Sequence, residues 1–531
     1  MDANASAEPL LVRPDVEFPQ LMHLTTESRS TPRARPRVTL SFRSERGRQY
    51  LYDDKTGIIF PWTQPRESAL KAYLSGTLEK EGDSVQGGFG QTEGAAAIRF
   101  VRKWTERYGA FVRTATPPAR PPSAVEAVEW IRRSCTQLTL ILTEDCNLRC
   151  RYCVFSGLYK YWRVRSWRQM PPELAIRAID WFASLVSPQL RRNPRARFGL
   201  TFYGGEPLLN MVALKGALEH ARQKYPELFA PTLTTNGVLL TEKAADLLAS
   251  HQVHVVVSLD GPQAEHDRER VDSSGRGTHA RILENLKRIR QKYPQYWKDH
   301  VVSSVVCSYK SDLEAICDFF EKCEDTIPPC AIGSIVDPAN GTYWQGATRD
   351  DYKRFIERMR RLRDHYNSKI INNLPVDSFS RSIAGHAIIC ITIRNRLDDP
   401  RMPCLPYTGA CHPGHKIAVE VDGTLNICER VDGTFPIGRL GVKTDEGIDG
   451  ERVRSMIDQY QRMVLPSCGS CCVTRICDCC LSRVLAGGVI FRRSRECANT
   501  VRAAKSALRD YVSIMEANPN ADLPFLPTEL R

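Results

Sequence analysis

No apolar run in this sequence approaches the ~20 residues that a helix needs to cross a bilayer. The longest runs, such as VHVVVSL, have the length of a strand, so no membrane-spanning helix is expected. The opening residues, MDANASAEPLLVRPDVEFPQ, contain neither a basic stretch nor a following apolar core, and a secretory signal is not expected either. Aromatic residues make up only 8%, and no basic run is interleaved with them, which speaks against a groove that stacks nucleic-acid bases. The net charge of +13 leaves room for an anionic partner, although a solvated basic surface accounts for most such charge. Cysteine is what the chain has in excess. Its 19 cysteines are odd in number and clustered in short spacings, and without a secretory signal they read as metal ligands of a cytoplasmic protein.

With 531 residues, 42% of them hydrophobic, the chain is long enough for about three domains with proper cores. Residues 1–37 are rich in Pro, Arg and Ser and are expected to be disordered. VTLSFRSERGRQYLYDDKTGIIF reads as three strands with turns at Gly47 and at Asp53–Gly57, and RESALKAYLSGTL and EGAAAIRFVRKWTERYGAF carry helical spacing. These make a separate module over 38–120 that ends in the proline-rich linker TPPARPPS. From residue 137, QLTLILT, RFGLTFY, APTLTTN, VHVVVSLD, VVSSVV and AIGSIV alternate with helical segments such as PPELAIRAIDWFASL. Six β/α units predict an α/β fold, a parallel sheet curved into a partial barrel over 134–335, with its site at the strands' C-terminal ends. A helical bridge over 336–400, a cysteine-rich domain over 401–500 and a helix and tail over 501–531 complete the organisation.

Directly after QLTLILT comes Cys146-Asn-Leu-Arg-Cys150-Arg-Tyr-Cys153. Three thiolates in one tight loop hold three corners of a [4Fe-4S] cube and leave the fourth iron open for chemistry, whereas a structural site normally closes its shell with four ligands. A zinc knuckle one ligand short is the alternative. With Tyr152 before the last cysteine, the run resembles the radical S-adenosylmethionine (SAM) superfamily. Later segments add to the resemblance: Tyr203-Gly204-Gly205-Glu206-Pro207 resembles its GGEP motif, Thr234-Thr235-Asn236-Gly237 its TTNG, and Ser258-Leu259-Asp260-Gly261-Pro262 with His266, Asp267 and Arg270 its SLDGP run. The resemblance implies SAM contacts from Tyr152, Gly204, Gly205, Glu206, Asn236, Ser258 and Asp260. Read without it, the two glycines let a ligand approach the backbone, Thr234 and Asn236 make local turn bonds, and His266 is a hydrogen-bonded structural group.

Far downstream, Cys411, Gly423, Cys428, Cys468, Cys471, Cys477, Cys480 and Cys497 resemble the SPASM extension of that superfamily, which houses two auxiliary [4Fe-4S] clusters. The family places three residues where Cys477 and Cys480 enclose two, and Cys479 competes for the position. Carried over residue by residue, the first auxiliary cluster takes Cys404, Cys411, Cys428 and Cys480, and the second Cys468, Cys471, Cys477 and Cys497. Four thiolates also suit zinc. The other cysteines, Cys135, Cys307, Cys317, Cys323, Cys330, Cys390 and Cys472, read as buried apolar residues or inert thiols.

The resemblance thus implies three [4Fe-4S] clusters, SAM, and an electron donor such as flavodoxin or ferredoxin. It implies reductive cleavage of SAM to a 5′-deoxyadenosyl radical that removes a hydrogen atom from substrate. CHPGHKIAVEVDGTLNICERV resembles maturases of ribosomally made precursor peptides, whose products include thioethers, carbon-carbon or ether crosslinks, cyclopropanes and epimers. The winged-helix-like N-terminal module then holds a leader peptide, or is a plain structural extension. Anaerobic sulfatase maturases have Cys-Asp where this chain has Cys428-Glu429, which makes Glu429 a candidate base, with a salt bridge to Arg430 as the alternative. The loop FSGLYKYWRVRSWRQM lines a substrate channel or packs across the barrel mouth. Two other functions stay open. One is a maturase of whole proteins that forms formylglycine or a quinone cofactor. The other is a non-catalytic iron-sulfur or zinc scaffold on nucleic acid, which leaves GGEP and SLDGP unexplained.

Overall fold

The computed structural model describes residues 38–77, 91–112, 120–159, 164–322, 327–336, 342–394, 414–431, 433–441, 447–469, 471–492, 494–521 and 523. The chain begins with an antiparallel sheet of β1 (Thr39–Arg43), β2 (Gln49–Asp53) and β3 (Ile58–Pro61), followed by α1 (Gln64–Ser75) and α2 (Gln91–Tyr108). Alternation along β2 sends Leu51 to one face of the sheet and Tyr50 and Tyr52 to the other. Leu51 joins Phe60, Trp62, Leu70, Val101 and Trp104 under the module's own helices.

The main sheet contains β4 (Gln137–Thr143), β5 (Phe198–Gly204), β6 (Phe229–Thr235), β7 (His254–Ser258), β8 (Val301–Cys307) and β9 (Ala331–Ile335), all parallel and paired in sequence order. The crossovers carry α3 (Pro172–Leu185), α4 (Met211–Lys224), α5 (Glu242–Ser250), α6 (His279–Lys292) and α7 (Leu313–Lys322). The expected alternation of strand and helix is therefore present, with α4 as a helix that the spacing did not single out. β4 and the helices on it are apolar enough to bury Leu138, Leu140, Ile141 and Leu142 completely, as both-faced burial of a parallel sheet requires.

Three further strands extend this sheet. β10 (Lys416–Val419) runs parallel to β4, with Ile417 opposite Leu138 and Val419 opposite Leu140; β11 (Thr424–Asn426) returns antiparallel and β12 (Gly438–Arg439) follows it. The sequence reading did not foresee this, although Asp422-Gly423 is a hairpin signal and Gly423 takes φ +87°. The hairpin joins the cysteine-rich end of the chain to the strand that carries the three-cysteine loop.

The outer helices α8 (Arg349–Ile371), α9 (Ser378–Ile383), α10 (His386–Ile393) and α11 (Ser494–Ala517) close the fold. Tyr366 and Ile370 of α8, Ile388 and Ile391 of α10, and Leu508 and Val512 of α11 pack on Phe42, Tyr50 and Tyr52, so the N-terminal sheet is buried on both faces. Arg475 completes the junction: only 2% exposed, it donates Nε to the Asp54 carbonyl at 2.6 Å and a guanidinium nitrogen to that of Lys55. Its backbone N–H and the Thr474 hydroxyl both donate to the Asp54 carboxylate. Replacing Arg475 with alanine takes these side-chain donors away from the junction and opens a cavity, and should lower stability by about 2–4 kcal/mol. The measurement is the urea midpoint followed by the fluorescence of Trp62 and Trp104; an unchanged midpoint would refute the assignment.

Candidate functional site

The loop after β4 has little regular structure and is fixed from two sides. Arg149 and Arg151 donate their backbone N–H groups to the carbonyls of Val271 and Glu269 at 2.7 and 2.9 Å. On the other side, Gly205 N–H donates to Thr143 O and Glu206 N–H to Asp145 O, both at 2.9 Å. The contact is too close for side chains: a Cβ on Gly204, which has φ +139°, would lie 2.3 Å from Thr143 O, and one on Gly205 would lie 2.0 Å from Asp145 O. Glycine here makes room for the loop itself.

Cys146, Cys150 and Cys153 are half-buried on this loop, and each thiol is pushed up by desolvation, Cys146 to about 12 and Cys150 to about 11. Ionising them together also sets like charges against one another, since Cys146 feels both Cys150 and Cys153. A multinuclear cation removes both penalties as the protons leave. Among the described residues, no three cysteines bring their sulfurs within 4.8 Å of each other, the close spacing that one zinc ion with sulfur at ~2.3 Å requires. Three free, half-buried thiols on one loop directly after a strand are the donor set that a three-cysteine cluster takes.

Beneath the loop, Asp260 accepts from Tyr152 OH at 2.5 Å and Arg270 Nε at 2.8 Å on one oxygen and from Val306 N–H at 2.9 Å on the other. Asp260 and Arg270 form an ion pair with side chains 4% and 8% exposed, and the guanidinium lies 5.3 Å from the centre of the Tyr152 ring. His266 completes the network. Its Nδ1 accepts from Asp260 N–H at 3.2 Å, and Nε2 lies 3.0 Å from the Thr278 hydroxyl, which donates to Arg270 O. An accepting Nδ1 leaves the proton on Nε2, so the buried imidazole is neutral and His266 is a structural group. Arg270 stood in the sequence as part of a motif; the structure makes it the charge partner that Asp260 requires.

Glu206 is fully buried at the end of β5 and raised to about 7, chiefly by desolvation. Its oxygens accept from Leu208 N–H at 3.1 Å, Thr235 Oγ1 at 2.8 Å and Asn236 N–H at 2.8 Å, which ties the ends of β5 and β6 together. Asn236 Nδ2 in turn donates to Asn147 Oδ1 at 2.8 Å, inside the cysteine loop. Ser258 ends β7 with its hydroxyl free of protein partners among the described residues. The expected residues of the barrel thus converge on one mouth.

The second cysteine group lies at the other end of the chain. Cys428 follows β11 and donates its thiol to Glu429 Oε2 at 3.2 Å. Glu429 stands 3.9 Å from both Lys416 Nζ and Arg430 Nε; burial pushes its carboxyl up, but these cations outweigh it and hold it below its ordinary range. Arg430 senses Tyr203 at the end of β5, Cys428 and Cys480. Tyr460 senses Cys468, Cys477, Cys479 and Cys480, and Cys479 also senses Cys497. Cys471 follows Cys468 in a turn, its N–H bonded to Cys468 O at 3.1 Å. Cys404 and Cys411 lie outside the described residues.

Comparison with known proteins bears on the barrel first. Residues 140–322 match the radical SAM superfamily. The chain carries a radical SAM domain. Such a domain implies a [4Fe-4S] cluster and SAM as cofactors. Over 304 residues the chain is 26% identical to the radical SAM cyclopropyl synthase TigE of Paramaledivibacter caminithermalis, covering 56% of this chain and 58% of that protein. It is 22% identical over 322 residues to the cysteine-type anaerobic sulfatase-maturating enzyme of Clostridium novyi, covering 59% and 78%. This chain therefore spans little more than half the length of the first of these relatives. Among solved structures it resembles native anSMEcpe with bound AdoMet (SAM) and Cp18Cys peptide, at TM-score 0.50 and 17% identity over 72% of this chain and 97% of that one. That likeness is one of fold. No described helix is long and apolar enough to cross a membrane.

Two predictions follow from the geometry of the radical SAM domain. Gly205→Ala drives a methyl group into Asp145 O and should displace the cysteine loop, lowering iron retained after anaerobic reconstitution by about one cluster's worth of ions while far-UV circular dichroism stays unchanged. His266, pushed down to about 4 by burial, binds fewer protons when folded than the free imidazole at 6.5. Its contribution to stability is complete above about pH 6.5 and is lost as pH falls toward about 4, at up to about 1.4 kcal/mol per unit. His266→Asn should flatten the difference between urea midpoints at about pH 7 and about pH 5.

Proposed function

We propose that this chain is a SPASM-type radical SAM enzyme that modifies a ribosomally made precursor peptide. The observation that carries the reading is the sheet in which β10 pairs with β4 and β11 with β10, so that the strand whose end carries the half-buried three-cysteine loop also holds the hairpin that leads into Cys428. In this reading Cys404, Cys411, Cys428 and Cys480 hold one auxiliary cluster and Cys468, Cys471, Cys477 and Cys497 the other; the shared neighbour Arg430 supports pairing Cys480 with Cys428. When bound, the first cluster and SAM supply a 5′-deoxyadenosyl radical by one-electron cleavage of the sulfonium, with methionine as co-product. An electron donor such as flavodoxin or ferredoxin serves a cytoplasmic enzyme of this kind.

The residues of the chain position and shield. Asp260, Arg270 and Tyr152 hold the cysteine loop over the barrel, and Glu206 and Asn236 fix its other edge. The free hydroxyl of Ser258 and the glycine backbone at 204–205 are the groups offered to SAM. Glu429, kept ionised by Lys416 and Arg430, is a weak base, and its geometry favours an electrostatic role beside Cys428 over proton abstraction. The names of the similar proteins, a cyclopropyl synthase and a maturase seen with a peptide, support a peptide substrate. The N-terminal sheet with its helices is the candidate winged-helix-like leader-binding module. Whole-protein maturation is the second reading, favoured by the greater share of the sulfatase-maturating relative that this chain covers.

The test is anaerobic reconstitution with iron and sulfide, then dithionite and SAM with chromatography for 5′-deoxyadenosine, with and without a candidate peptide taken from any short reading frame that adjoins the gene. Release of 5′-deoxyadenosine that disappears when Cys146, Cys150 and Cys153 are all changed to alanine is the expected result. A preparation that holds zinc and little iron would overturn the reading.

A further inference from the structure

The outer helical layer carries another convergence of metal-binding groups, apart from the barrel mouth. α7 presents Cys317 and Glu321 one turn apart on the same face, and α8 presents His365 and Lys369 at the same spacing. Asp377 caps α9, its Oδ1 accepting from Ser380 N–H at 2.7 Å, which leaves Oδ2 directed at α7. The Cys317 sulfur lies 3.7 Å from Glu321 Oε1 and 3.6 Å from Asp377 Oδ2, and His365 Nε2 lies 3.3 Å from Glu321 Oε1. Among the described residues, Cys317, Glu321 and His365 are the one set of three such side chains whose ligand atoms all lie within 4.8 Å of one another. A tetrahedral ion with sulfur at ~2.3 Å and nitrogen or oxygen at ~2.0 Å spaces its ligands about 3.3–3.7 Å apart.

The bonding around the sulfur gives a second reason. Cys317 is buried, and its one thiol proton faces three oxygens, those of Glu321, Asp377 and Ser380, the last at 3.1 Å. Glu321 Oε1 also draws Lys369 and His365, so the sulfur stands beside a carboxylate that already gathers cationic partners, a setting that a divalent cation can occupy.

We propose that Cys317, Glu321 and His365 form a structural zinc site that clamps α7 and α8 together, with a water molecule as the fourth ligand. Thiolate, imidazole and carboxylate together suit zinc and disfavour magnesium and calcium. The Cys317 proton leaves to solvent as the zinc-sulfur bond forms, with no change of oxidation state, and the Ser380 hydroxyl turns to donate to the thiolate. Lys369, whose ammonium contacts Glu321 Oε1, holds the carboxylate in the metal-free protein and must swing aside for the ion. In the sequence Cys317 reads as a buried apolar residue or an inert thiol, since His365 and Asp377 stand far along the chain from it.

The experiment uses full-length protein carrying its iron, treated anaerobically with zinc chloride and freed of loose metal on a chelating resin. Zinc and iron are then counted by mass spectrometry, and the zinc ligands are read by X-ray absorption. The expected result is about one zinc per chain with a shell of one sulfur and three lighter atoms, lost in Cys317→Ala/His365→Ala with iron unchanged. Lys369→Met removes the competing ammonium and keeps every ligand, and should bind zinc on the order of tenfold more tightly in competition with a chelator of known affinity. An all-sulfur zinc shell that survives in the double variant, no zinc retained by the wild type, or unaltered affinity in Lys369→Met would each overturn the proposal.

Discussion

The three-cysteine loop has no helix or strand of its own to hold its thiols, and its position depends on one buried carboxylate. Asp260 accepts from Tyr152, Arg270 and the backbone of Val306, and its own N–H is received by His266. A carboxylate taken out of water is tolerated only while every lone pair is engaged and an opposite charge is in contact, so the groups around Asp260 have almost no freedom to rearrange. That rigidity passes to the loop through Tyr152 and through the pairing of Arg149 and Arg151 with the segment that carries Arg270. The loop is irregular in form, yet both of its edges are defined.

The same economy of contact appears where Gly204 and Gly205 meet Thr143 and Asp145. The strand end and the loop approach so closely that their backbones exchange hydrogen bonds where side chains would otherwise stand. Glu206 then spans to β6, and Asn236 returns to Asn147, which closes a ring of bonds around the barrel mouth. A radical chemistry that must exclude water and fix one carbon-hydrogen bond calls for such a frame, because small displacements of the reacting groups carry large penalties in rate.

Much of the barrel was legible in the sequence. All six alternating runs became strands in the expected order, because a parallel sheet covered on both faces needs continuous apolar segments and these stand out between charged helices. His266 stands in the hydrogen-bonded setting that its structural alternative implied. What the sequence concealed were long-range partnerships. β10 has four residues and pairs with a strand nearly 280 residues earlier, as the Thr136–His415 contact beside it spans 279. Nothing in KIAV announces a neighbour at that distance, although the Asp-Gly turn marked the hairpin. The glycines of GGEP were expected to admit a ligand, and their immediate physical need turned out to be the loop packed against them. Asp260 and Glu206 looked like ligand contacts, and their oxygens are taken up first by the protein.

The burial of the N-terminal sheet on both faces bears on how this chain reaches its fold. Tyr50 donates to Glu516 across 466 residues, and the apolar face around Phe42 and Tyr52 is covered by a helix near the far end of the chain. During synthesis the first module can form its strands and its own helices early, but that face stays wet until almost everything else has been made. Contacts of such sequence separation form late and expose sticky surface in the interval. The helix that covers the face also carries Cys497, so the last of the cysteines and the cover of this face arrive together.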